Sequence, residues 1–207
     1  NSIAIGSYAG NSLQDNSAIA IGGASGKTNQ SAFSIAIGNY SAETNQDSSS
    51  IAIGSYAANN NQSIQSIAIG YQAAYQDQSY NAISIGSSAG YSSQGPHTIA
   101  IGSNSGNSKQ ENHSIAVGSN AGNTNQLKYS IAVGSNAGFS DQSQNSIAIG
   151  TNAGYQKQDI SSISIGNNAG HTDQSYSSIA IGSGSGFKNQ NWSSISIGTN
   201  AGYNDQS

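Results

Sequence analysis

The chain has 207 residues, 7% of them charged, with 26 glycines, one proline, no cysteine and no methionine. Five lysines against nine acids give a formal net charge of −4, which leaves no basic footprint for nucleic acid or for an anionic membrane surface. Low hydrophobicity without high net charge is not the signature of disorder, and no apolar run reaches the ~18 residues of a membrane-spanning helix.

The dominant feature is an internal repeat. The glycine after each apolar triplet falls at Gly6, Gly22, Gly38 and onward to Gly198, every step being sixteen residues without insertion or deletion. A glutamine follows each time at the same distance, from Gln14 and Gln30 to Gln206. A period of this length reads as one turn of a solenoid.

Counting Asn1 as position 1, each copy opens with a predicted strand at positions 2–5. Position 3 is always Ile, and position 5 is Ile except at Val117 and Val133. Positions 2 and 4 are small, mostly Ser and Ala. That alternation has the period of a strand with one buried face. Gly at position 6 supplies a bend. A second extended stretch is predicted around positions 8–13, followed by the glutamine and a return to the next copy. The density of Gly, Ser and Asn excludes a helix. The predicted fold is therefore all-β: a parallel β-solenoid of thirteen sixteen-residue coils over residues 1–207, without capping elements, its coils stacked at ~4.8 Å. Without an initiator methionine a longer parent protein is expected, and without capping segments the chain is expected to be a segment of a longer fibrous protein or a subunit that stacks end to end.

On hydrophobicity alone, the isoleucines are expected to face inward and positions 2 and 4 outward. The glutamines are expected to form a stacked amide ladder, the alternative being a ligand-facing row. All fourteen charges fall at positions 11–16, and none at positions 1–10. A neutral outward strip is thus predicted as a contact face: Ser2, Ala4, Ser34, Ala36, Ser50, Ala52, Ser66, Ala68, Ser114, Ala116, Ser130, Ala132, Ser146, Ala148, Ser178 and Ala180. Small residues that merely suit tight stacking are the plainer reading. A second candidate is an aromatic row at position 11, comprising Tyr75, Tyr91, Phe139, Tyr155, Phe187 and Tyr203. It reads equally as a contact surface for protein or glycan and as a self-stacked column.

"NSIAIG" at Asn1–Gly6 and Asn145–Gly150, echoed in the first six positions of every copy, resembles the head repeats of trimeric autotransporter adhesins. The resemblance implies a left-handed parallel β-roll, a homotrimer and an extracellular surface. The repeat here is longer than that family's, and "NAGxxxQ" lies outside its motif. Similar short repeats occur in viral and phage fibres and in some plant ice-binding β-rolls.

Little in the chain points to catalysis. Nucleophile elbows, P-loops and zinc motifs are absent, and no serine is paired with a base. His97 and His113 share position 1 one copy apart, with Glu111 nearby; a bridged metal is weighed there against a solvent-facing pair. No cofactor is expected. The predicted role is a structural or adhesive surface fibre that self-associates as a homotrimer or an end-to-end filament, with a host-surface protein or glycan as a further partner. The alternative is an ice-binding solenoid using the same flat face.

Overall fold

Sixteen residues make one coil with two short strands. The computed structural model describes residues 1–205; Gln206, the last of the glutamine row, lies outside the described residues. Each coil places one three-residue strand at positions 3–5, from Ile3–Ile5 to Ile195–Ile197, and another at positions 12–14, from Ser12–Gln14 to Lys188–Gln190. The chain is a parallel β-solenoid with no helix among the described residues. It divides into two compact units, Asn1–Asn104 and Ser105–Ser207. In the first, Ile3 pairs with Ile19 and Gln14 with Gln30. In the second, Ile131 pairs with Ile147 and Gln142 with Gln158. Like therefore lies on like, one coil apart.

The second strand is shorter and later than predicted, because positions 8 and 10 are left-handed. Asn136 has φ +55° and Gly138 φ +52°. Left-handed backbone recurs at position 13, as in Asp141 (φ +55°), and at position 1, as in Asn145 (φ +57°). Asn, Asp and Gly are the residues that reach this region at least cost, which accounts for their abundance at positions 8, 10 and 13. Two turns close each coil. In one, the position-9 N–H donates to the position-6 carbonyl, as from Ala57 to Gly54 at 3.2 Å. In the other, Ser114 N–H donates to the Glu111 carbonyl at 3.3 Å.

The glycine at position 6 has two reasons to be glycine. Gly134 sits at φ +129°, and a Cβ there would lie 2.7 Å from the carbonyl oxygen of Gly150 in the next coil. Neither the conformation nor the space admits a side chain.

The predicted sidedness is reversed. Ala20, Ala36, Ala52, Ala68, Ala116, Ala132, Ala148 and Ala180 at position 4 are fully buried, as are Ser34, Ser50, Ser66, Ser114, Ser130, Ser146 and Ser178 at position 2. Of the predicted contact strip, Ser2 and Ala4 alone are exposed, on the first coil. Isoleucines at positions 3 and 5 point outward instead, half-buried by their neighbours, with Ile85, Ile101 and Ile149 over a third exposed. The physical reason is cross-section. Two three-residue strands joined by tight turns enclose room for alanine methyls and one glutamine amide per coil, but not for two isoleucines as well.

Candidate functional site: the outward isoleucine sheet

The interior that sets the sheet's shape is polar yet satisfied. Gln46 Nε2 donates to the Ile35 carbonyl across its own coil at 2.8 Å and to Gln62 Oε1 in the next at 3.1 Å. The same pattern runs through Gln62 to Gln78 in the first unit and from Gln126 through Gln142 to Gln158 in the second. The amide ladder is thus present, and its members are enclosed within the coil. Position-2 serines turn back on the preceding turn, Ser130 Oγ donating to the Leu127 carbonyl at 2.6 Å. Where position 4 is Ser, its hydroxyl joins the ladder: Ser84 Oγ donates to Gln94 Oε1 at 2.6 Å, and Ser164 Oγ to Gln174 Oε1. Among the described residues no buried side-chain nitrogen or oxygen lacks a partner. A core built this way holds every strand in register, because each amide must meet both its own coil and the next.

Fixed register arranges the outer face. Within the first unit, strands at Ile3–Ile5, Ile19–Ile21, Ile35–Ile37, Ile51–Ile53, Ile67–Ile69, Ile83–Ile85 and Ile99–Ile101 stack in parallel. They carry two unbroken aliphatic rows. Seven strands at about 4.8 Å make each row roughly 29 Å long, and the rows stand about 6.6 Å apart. The strip between the two row axes therefore covers on the order of 200 Å², before the width of the side chains on either side is counted. The second unit repeats the arrangement from Ile115–Val117 to Ile195–Ile197. No charged residue interrupts either face, since every charge lies at positions 11–16.

The charges sit off this face, on the second strand and the turns on either side of it, where some pair along the axis. Lys27 Nζ lies 3.0 Å from Glu43 Oε1, and Lys157 Nζ 3.3 Å from Asp173 Oδ1. The hydrogen bond and charge of Glu43 raise the Lys27 ammonium above its ordinary value. At position 13, Asn29, Asn45, Asn61 and Asp77 form an exposed chain of 2.9 Å hydrogen bonds.

The position-11 aromatics are brought together as columns. Tyr75 stacks on Tyr91 with ring centroids 5.1 Å apart. In the second unit Phe139, Tyr155, His171, Phe187 and Tyr203 form one stack at 4.7–5.0 Å. Ring faces within these columns are spent on one another, leaving edges toward solvent. Burial, and secondarily Lys188, hold the His171 imidazole below its ordinary value. The other histidines also pack on rings: His97 meets Tyr80 edge-on at 5.1 Å and His113 stacks on Tyr129 at 5.2 Å. Among the described residues no three His, Cys, Asp or Glu side chains gather where a metal ion would be held.

The geometry defines a class, a parallel β-solenoid repeat with a polar interior and an apolar outer sheet. Comparison of the chain with protein-family models, with curated protein sequences and with solved structures finds no match.

Proposed function

We propose that the chain is a non-catalytic structural solenoid of an extracellular surface fibre, and that its outward isoleucine sheet binds the same sheet of another copy. The observation that carries this reading is the pair of unbroken, uncharged isoleucine rows on the outer face. Aliphatic surface gains about 25 cal/mol per Å² when removed from water. The partner must be apolar, neutral and periodic, and a second copy has the same coil rise, so its methyl rows interdigitate with these as in a steric zipper. Each unit carries its own strip of this kind. The "NSIAIG" resemblance supports a fibrous, surface-exposed setting, and adhesion follows from that setting.

Analytical ultracentrifugation of the wild-type chain and of an Ile67→Lys/Ile69→Lys variant tests it. The expected result is a concentration-dependent oligomer for the wild type and a folded monomer, by circular dichroism, for the variant. A wild-type chain that stays monomeric at millimolar concentration overturns the reading. Flat rows in strict register also suit a crystalline surface; a monomer that shows thermal hysteresis and shapes ice would establish the ice-binding alternative.

A further inference from the structure

One corner of the second unit presents aromatic rings differently from the columns. Position 16 of three successive coils holds Ile160, Tyr176 and Trp192, exposed by 39%, 46% and 77%. The Tyr176 and Trp192 centroids are 6.4 Å apart with the planes tilted by 55°, so neither ring covers the face of the other. Beside them at position 1, the left-handed residues Ser161, Ser177 and Ser193 bring hydroxyls to the same corner. Asn191 adds an exposed residue at position 15.

We propose that this corner is a carbohydrate-binding site for a neutral, β-linked polysaccharide lying along the coil axis. The apolar face of a pyranose stacks on an aromatic ring, while its equatorial hydroxyls need donors and acceptors at the ring's edge. Successive sugars in an extended β-linked chain advance by close to one coil rise, about 4.8 Å. Trp192 then stacks one sugar, Tyr176 and Ile160 meet its neighbours along the axis at a different tilt, and the position-1 serines and Asn191 bond the hydroxyl rim. The one carboxylate at the corner, Asp159, already accepts the Ile160 N–H at 2.7 Å through one oxygen and repels a uronate chain with its charge. That selects a neutral glycan. The site is separate from the isoleucine sheet and stands or falls independently of self-association.

Trp192 is the chain's single tryptophan, so its fluorescence reports this corner alone. Cellohexaose and chitohexaose are titrated into the full chain, followed by tryptophan emission and by isothermal titration calorimetry. Saturable binding with a blue shift is expected for at least one of them. Trp192→Ala abolishes the calorimetric signal, and Tyr176→Ala weakens binding by roughly tenfold. Tyr155→Ala, in the self-stacked column, leaves it within about twofold. Absence of heat and of spectral change with both oligosaccharides overturns the proposal. So does binding that survives Trp192→Ala, or a corner that takes up only protein partners.

Discussion

Gln126 and Gln142 are locked to each other across one coil: the amide Nε2 of Gln126 donates to Gln142 Oε1 at 3.2 Å. Gln142 in turn donates to the Ile131 carbonyl at 2.8 Å and to Gln158 Oε1 at 3.2 Å. Replacing Gln142 by Leu leaves the buried Gln126 donor without its ladder acceptor and the Gln158 acceptor without its donor. Each stranded group costs about 1–3 kcal/mol. Gln142→Leu is therefore expected to destabilise by about 2–4 kcal/mol despite its greater hydrophobicity. Guanidinium unfolding measures this, and an unchanged midpoint contradicts it.

Opposite substitutions at two bends should have opposite signs. Gly150 stands at φ +124°, where a Cβ would lie 2.6 Å from the Gly166 carbonyl oxygen, so Gly150→Ala should cost more than about 2 kcal/mol. Ala58 occupies left-handed backbone at φ +45° where most other coils have glycine. Ala58→Gly should stabilise by about 1 kcal/mol. Melting temperatures of the two variants settle both signs.

The aromatic column in the second unit should contribute beyond area alone. Tyr155 lies between Phe139 and His171 at 5.0 Å from each. Tyr155→Ala breaks the stack and should cost about 1–3 kcal/mol, two stacked contacts being lost. Loss of near-ultraviolet circular dichroism should accompany it, whereas Phe33→Ala, at an exposed ring outside the columns, should change stability little.

His171 gives the second unit a pH dependence. Its imidazole is held below the usual value by burial first and Lys188 second. Between the folded and unfolded values the unfolded chain binds the proton and the folded one does not. Stability is then complete above about pH 6.5 and falls as the pH drops beneath it. His171→Phe, the residue found at Phe139 and Phe187, should flatten the melting temperature between pH 7.5 and 5. A wild-type slope that persists in this variant refutes the assignment.

Much of the fold was legible because the repeat never slips. The sixteen-residue spacing of Gly6, Gly22 and Gly38 gave the coil, and thirteen glutamines in register gave the amide ladder. Which face of the strand points inward was not legible. Alternation places Ile3 and Ala4 on opposite sides, but only the coil's width decides between them, and width depends on turns that the hydrophobic pattern does not encode. The turns did leave a signal: Asn and Asp crowd positions 8 and 13, as at Asn136 and Asp141, where left-handed backbone shortens the circuit. Reading those residues as turn formers would have predicted a coil too narrow for isoleucine. The absence of charge from positions 1–10 pointed correctly to a neutral outer face while naming the wrong side chains for it. The Tyr176–Trp192 corner was missed because position 16 is the least regular of the repeat, holding Asn16, Ala32, Ser48, Pro96, Lys128 and Gln144 as well as Tyr80, so no row stands out there.

The glycine contact between neighbouring bends also governs how such a protein can change in size. A coil whose glycine α-carbon rests against the carbonyl of the next tolerates no extra or missing residue within the circuit, since one displaced bend would misalign the amide on the far side. Adding or deleting a whole circuit disturbs neither. Duplication in complete units is thus the permitted route to a longer or shorter molecule, leaving thickness and surface chemistry unaltered.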